Sequence, residues 1–141
     1  MNRRKKTKGF TMIELMAVLI ILGLLATLLA RNFMGQIEKS QITTTKVNLR
    51  DLQTAVNQFK MDTGRFPTED EGLRVLIEQP SDVTGYPEGG YLQTTELPKD
   101  GWGVDFIYEP YPESGKPFAI RSCGPDKEPG TDDDLLSTDA Y

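Results

Sequence analysis

The sequence predicts an α+β protein in which one long N-terminal helix packs on a small C-terminal domain with a short helix and an antiparallel β-hairpin or small sheet. Three observations predict this class. An unbroken apolar segment covers residues 10–30, a helical apolar pattern continues to about residue 62, and two short β-type segments follow in the last third of the chain. In a chain of 141 residues with 38% apolar composition, this leaves only a small soluble core.

Composition limits the possible functions. The chain has no histidine and a single cysteine, Cys123. These counts exclude an intramolecular disulfide, a Cys-rich metal site and Ser-His or Cys-His catalysis within the chain. Beyond residue 9 the remaining 132 residues carry 11 Lys and Arg against 21 Asp and Glu, a formal charge of −10 that repels nucleic acid phosphates. We therefore predict a protein that is not an enzyme and does not bind nucleic acid.

The N-terminus has the features of a membrane anchor. Residues 1–9 form a leader with five Lys and Arg and no acidic residue, and the 21 residues that follow can cross a hydrocarbon layer of roughly 30 Å as a helix. The basic flank is expected to stay in the cytoplasm. A cleaved secretory signal is the alternative, but its apolar stretch is shorter and ends at a small-residue cleavage site, which is missing here.

Glu14 is the only charged side chain in this apolar segment. A carboxylate at that depth costs about 3 kcal/mol even on permissive insertion scales, so it requires a partner. A cut between Gly9 and Phe10 would release an amine close enough to serve. The alternative is a chance acid in a plain anchor.

The residues around this cut resemble the type IV prepilin signature; they read Lys8-Gly9-Phe10-Thr11-Met12-Ile13-Glu14. The resemblance implies a type IV pilin-like fold. It also implies that a prepilin peptidase cleaves after Gly9 and methylates the Phe10 amine, and that Glu14 pairs with the Phe10 amine of a neighbouring subunit during assembly. Since an unpaired buried charge is costly, Glu14 can select one stagger between adjacent helices.

The first helix is predicted to stop near Thr63-Gly64, so that it runs from Thr11 to Asp62, which is 52 residues and roughly 78 Å. Residues 10–31 form its transmembrane and assembly half, and residues 32–63 its amphipathic half. One face of the second half carries apolar residues at helical spacing, so this face is predicted to pack against the domain. These residues are Leu49, Leu52, Val56 and Phe59.

Residues 64–141 are predicted to form the globular domain. Thr68 and Glu71 have capping-box spacing, which predicts a short second helix ending before Pro80. Residues 104–108 and 118–121 have β-type composition and are separated by prolines and a glycine, which predicts an antiparallel hairpin.

Several segments of this domain resemble the major pseudopilins of type II secretion systems: residues 63–68, 71–73, 91–92, 97–100 and 102–103. The resemblance implies a structural subunit, anchored once in the inner membrane with its domain in the periplasm, that polymerises into the pseudopilus driving protein export. Its implied partners are copies of itself, minor pseudopilins, the prepilin peptidase, and an inner-membrane assembly platform with its ATPase. Members commonly have proline where this chain has Arg31, so local helix unwinding on assembly is doubtful here.

The segment 123–134 places four aspartates within nine positions, with Gly and Pro between the first and the rest. Calcium prefers such oxygen ligands, but the spacing is not that of an EF-hand, so a solvated acidic loop and a calcium site both remain open from the residues alone. The resemblance implies a calcium loop. The ligands it implies are the side chains of Asp126, Asp133 and Asp134 and the carbonyls of Cys123 and Thr131.

Two other functions compete with the pseudopilin interpretation. A type IV pilin for adhesion, motility or DNA uptake is one, although such a pilin usually has a C-terminal cysteine pair and this chain has one cysteine. A membrane-anchored, calcium-dependent enzyme or binding module is the other. The sequence offers no nucleophile, base or phosphate-binding glycine loop to accompany the acidic loop.

Overall fold

The computed structural model describes residues 9–139, apart from the side chains of residues 31 and 32. The elements are helix α1 (Met12–Thr63), a 3-10 helix (Gly72–Leu76), and strands β1 (Ile107–Pro110), β2 (Phe118–Ser122) and β3 (Leu135–Leu136). The α+β class is therefore confirmed. The chain divides into two compact units, one ending at Glu38 and the other beginning at Lys39.

Helix α1 confirms the predicted first helix to within one residue at each end. It ends where predicted because Gly64 adopts a left-handed conformation with φ of 82° and donates its N–H to the Lys60 carbonyl at 2.8 Å. Glycine enters this region without the steric cost of a Cβ atom and so closes the last turn.

In the unit that ends at Glu38, the large apolar side chains of α1 are exposed from Met12 to Ile37. An 18-residue window of the helix has a mean hydropathy of 2.6, and α1 is the one helix among residues 9–139 long and apolar enough to cross a membrane. Both findings agree with the predicted anchor, while its boundary at residue 31 stays a prediction. Residues 1–8 of the predicted leader and the Arg31 side chain lie outside the described residues.

In the unit that begins at Lys39, the predicted apolar face of α1 is buried in the hydrophobic core. It meets side chains of the 3-10 helix and of the sheet, and each fully buried side chain contributes about 1.5–3 kcal/mol. The core residues are Leu49, Leu52, Ala55, Val56, Phe59, Leu73, Val75, Leu76, Val83, Tyr108, Phe118 and Ile120.

The predicted hairpin is present within a small three-stranded sheet, whose third strand was not located from the sequence. β1 and β2 pair antiparallel with Tyr108 opposite Ile120, and β3 pairs antiparallel with β2. The first strand begins at Ile107, three residues later than predicted. The reason is that Asp105 forms an isolated bridge to Lys99, and the Val104 N–H bonds to the Asp100 carboxylate at 2.8 Å, which takes this segment out of the ladder.

The predicted second helix is only a five-residue 3-10 helix, although its capping box forms. Thr68 N–H donates to Glu71 Oε2 at 2.9 Å, and Glu71 N–H donates to Thr68 Oγ1 at 3.4 Å. Gly72 has φ of 53°, which is incompatible with an α-helix continuing from the cap. Hydrogen bonds from Arg65 to Glu71 lower the pKa of this carboxyl to about 2, so the turn carries an ion pair at neutral pH.

Candidate functional site

The predicted cleavage point lies in exposed backbone before α1. Gly9 and Phe10 precede the first helical residue, Met12, and the Phe10 side chain is exposed. A Cβ atom at Gly9 would meet no atom within 4 Å. Within residues 9–139, no other part of the chain therefore covers the Gly9–Phe10 peptide bond.

Glu14 forms a local capping box at the start of α1. Its Oε2 accepts the Thr11 N–H at 3.0 Å, and the Thr11 Oγ1 accepts the Glu14 N–H at 3.3 Å. From the sequence, only an intermolecular partner was predicted for Glu14, and this local role was missed. The Thr-x-x-Glu spacing could have identified it, as it did for Thr68 and Glu71. The cap satisfies hydrogen bonds, and within residues 9–139 no cationic side chain forms an ion pair with the carboxylate.

The two ends of the acidic loop approach each other closely at Gly124, which has φ of 66°. A Cβ atom there would overlap the carbonyl oxygen of Asp133. Glycine is therefore required both for the backbone conformation and for this closure. The preceding Cys123 is buried, and burial raises the pKa of its thiol, which fits a packing role rather than a thiolate ligand.

Hydrogen bonds within the loop order the carboxylates predicted to bind calcium. Asp126 Oδ1 accepts the Glu128 N–H at 2.9 Å, and Asp133 Oδ1 accepts the Thr131 hydroxyl at 2.9 Å. Asp134 Oδ2 accepts the Gly130 N–H at 2.8 Å. Within residues 9–139, no three acidic or Cys side chains converge into a ready-made metal site.

Arg121 is the residue of this region that the sequence analysis missed. From β2, its Nε donates to Glu109 Oε1 at 2.7 Å and its Nη2 to Glu109 Oε2 at 3.2 Å, while its Nη1 pairs with Asp134 Oδ2. Burial opposes ionisation of Asp134, yet the hydrogen bonds from Arg121 and Gly130 outweigh it and hold the pKa of this carboxyl below its ordinary value. Arg121 therefore joins the sheet to the loop.

A second connection runs from the loop to α1 through the buried carboxylate of Asp100. Its Oδ2 accepts the Ser122 hydroxyl at 2.7 Å, and the Ser122 Oγ accepts the Gly124 N–H at 3.3 Å. The adjacent Gly101 N–H donates to Thr45 Oγ1 of α1 at 2.8 Å. Buried polar groups satisfied in this way fix the position of the loop within the domain.

The oxygen donors of the loop suit a hard cation such as calcium, and the closure at Gly124 brings together the two segments that supply them. Because Asp126, Asp133 and Asp134 do not form one group, calcium binding through all three would require their side chains to move. The chemistry of the donor set therefore fits calcium, while calcium binding and the identity of its ligands stay predictions.

Comparison with known proteins places the chain in a family. Residues 32–138 match the family described as type II secretion system (T2SS), protein G, and residues 4–30 match the prokaryotic N-terminal methylation motif. The type II secretion system core protein G of Klebsiella michiganensis is 38% identical over 136 residues, covering 94% of each chain. The proteins of that name from Escherichia coli K12 and Pseudomonas aeruginosa are 36% and 34% identical, over 97% and 94% of this chain and 94% of each relative.

The fold agrees with this relationship. The crystal structure of the major pseudopilin from the type 2 secretion system of enterohaemorrhagic Escherichia coli superposes with a TM-score of 0.65 and 30% identity. The superposition covers 73% of this chain and 87% of the other. The chain therefore belongs to the type II secretion system protein G family, a family of pseudopilins with the type IV pilin-like fold.

Proposed function

We propose that the protein is a major pseudopilin, a structural subunit without catalytic activity that polymerises into the periplasmic pseudopilus of a type II secretion system. The observation that carries the proposal is that nearly the whole chain matches two family descriptions. Residues 4–30 match the N-terminal methylation motif, and residues 32–138 match type II secretion system protein G. The exposed apolar part of α1 supports it, since a surface of that kind requires lipid or other helices to cover it.

Processing at the N-terminus prepares the subunit for assembly. The prepilin peptidase cuts the exposed Gly9–Phe10 bond and methylates the Phe10 amine. The positive charge that this cut creates lies close in sequence to Glu14, whose carboxylate accepts the Thr11 N–H and has no ion pair within residues 9–139. Pairing with the Phe10 amine of a neighbouring subunit then neutralises the carboxylate and fixes the register of the two helices.

Before assembly, the subunit lies in the inner membrane as a single-pass protein with its C-terminal domain in the periplasm. Its main partners are other copies of itself. Minor pseudopilins, the assembly platform and the ATPase complete the machinery implied by the family. The acidic mature chain is suited to association with proteins rather than with nucleic acid.

The function is tested by quantitative proteomics of culture supernatants from wild-type cells, a deletion strain and the complemented deletion. We expect the deletion to lose a specific set of exported proteins and complementation to restore them. If the supernatant is unchanged while surface fibres or twitching motility disappear, the protein is a type IV pilin instead.

We also propose that the acidic loop binds calcium through the side chains of Asp126, Asp133 and Asp134 and the carbonyls of Cys123 and Thr131. The ion would neutralise the concentrated negative charge and cross-link the two ends of the loop. It would thus act as a staple in a domain whose single cysteine excludes a disulfide.

Chelation is expected to lower the melting temperature of a soluble fragment that begins near Gly35. A ligand bound only by the folded state adds about 2.7 kcal/mol at a hundredfold excess over its dissociation constant, so millimolar calcium should raise the transition clearly above that in chelator. Circular dichroism measures the shift, and the Asp133→Asn variant, which loses one charged ligand, should respond less. Equal melting temperatures in calcium and chelator would contradict the site.

A further inference from the structure

The Arg121 guanidinium is held in place from two sides. Glu109 of β1 accepts two of its hydrogen bonds, and Asp134 at the end of the acidic loop accepts a third. The Arg121 side chain is 21% exposed and that of Asp134 is 5% exposed, so the pair is largely shielded from water. Glu109 holds the guanidinium through Nε and Nη2, while Nη1 contacts Asp134. The positive charge of Arg121 therefore stays beside the loop.

This arrangement decides which part of Asp134 remains available. Its Oδ2 accepts hydrogen bonds from both Arg121 and the Gly130 amide, whereas its Oδ1 accepts, from the part of the chain that the structure describes, only the Thr131 hydroxyl at 3.5 Å. A second cation that approached Asp134 would therefore find one oxygen free rather than two. While Arg121 keeps its contact, the carboxylate can offer a second cation only its Oδ1 atom.

We propose that Arg121 is the resident cation of the acidic loop: its guanidinium orients and partly neutralises Asp134, holds the loop to the sheet without calcium, and competes with calcium for Asp134. Arg121 is thus a positioning residue for the loop. The part of this inference that concerns calcium rests on the calcium site proposed above, whereas the part that concerns loop closure does not.

The competition follows from charge. When calcium shares the Asp134 carboxylate, that carboxylate attracts the guanidinium less, and the two cations repel each other. Arg121 therefore stabilises the loop more in chelator than in calcium. Because coupling between two ligands of one site is reciprocal, removing Arg121 strengthens calcium binding while weakening the loop that lacks calcium.

The test compares the wild-type full chain in detergent with Arg121→Gln and with a matched control, Arg65→Gln. Arg65 also bridges two carboxylates, Glu71 at 2.8 Å and Asp82 at 3.0 Å, but these lie outside the acidic loop. Hydrogen exchange of the Gly130 amide in chelator reports loop closure. Equilibrium dialysis with calcium alone reports affinity.

We expect Arg121→Gln to speed exchange of the Gly130 amide about tenfold in chelator and to tighten the calcium dissociation constant roughly fivefold. Arg65→Gln should leave both quantities within about twofold of the wild type, since distant sites are largely independent. If the glutamine variant does not fold in chelator, Arg121→Lys replaces it. Lysine keeps the positive charge but lacks the several N–H donors of the guanidinium, so this variant should show smaller changes in the same directions.

The possible failures are distinguishable. Unchanged exchange together with normal calcium binding would overturn the role of Arg121 and leave the calcium site intact. Weaker calcium binding in Arg121→Gln would overturn the competition, because it would mean that Arg121 helps to bind the ion. Faster exchange with no calcium binding by any of the proteins would overturn the calcium site and its competition with Arg121, and would leave Arg121 as the link between loop and sheet.

Discussion

Replacing Glu14 by alanine is expected to reduce pseudopilus assembly, and with it the export of secreted proteins, by at least about tenfold. A carboxylate within a bilayer costs about 3 kcal/mol even on permissive scales, and pairing with the Phe10 amine of a neighbour would recover much of this cost. A free energy of about 3 kcal/mol corresponds to a roughly hundredfold change in an association constant. Shearing assays for fibres and proteomics of the supernatant measure the two losses.

The Glu14→Gln variant separates the charge of this side chain from its capping role. Glutamine can still accept the Thr11 N–H that Glu14 accepts at 3.0 Å, but it cannot pair as an ion. If the ion pair drives assembly, glutamine should fail as alanine does. Restored export with glutamine would instead show that the cap alone matters. Mass spectrometry supplies the control, since a methylated Phe10 N-terminus is expected in all three proteins.

The parts of the fold that local pattern determines could be predicted. The apolar spacing from Leu49 to Phe59 identified the buried face of α1, and the glycine at position 64 identified its end. Each of these signals depends on residues within a few turns of one another. The same holds for the two capping boxes, of which only the one at Thr68 was recognised from the sequence.

The parts that depend on distant residues could not be predicted. Strand β3 has only two residues, and it exists because β2 offers an open edge to a segment more than a dozen residues away. The pairing of Arg121 with Glu109 and Asp134 joins three segments, and its residue types have no spacing that distinguishes them from a solvated charge. The shortness of the second helix could not be predicted either, because a sequence does not reveal that Gly72 has a positive φ.

Replacing Phe59 by alanine is expected to destabilise the domain by about 3–5 kcal/mol, through lost burial and the cavity left behind. The Phe59 side chain is fully buried, and its ring lies edge-on to that of Tyr91 with centroids 5.7 Å apart. Since a domain of this size has a total stability of about 5–15 kcal/mol, the change removes a large part of it. Chemical denaturation of the fragment that begins near Gly35 measures the loss.

Met61 supplies the matched control, because it lies two residues further along α1 and is 78% exposed. Met61→Ala should change the free energy of unfolding by no more than about 0.5 kcal/mol. In cells, the Phe59 variant should fall in abundance through degradation, while the Glu14 variant keeps its abundance and fails only in assembly. Equal unfolding midpoints for the Phe59 and Met61 variants would mean that this face of α1 is not part of the core, and the domain would then require another source of stability.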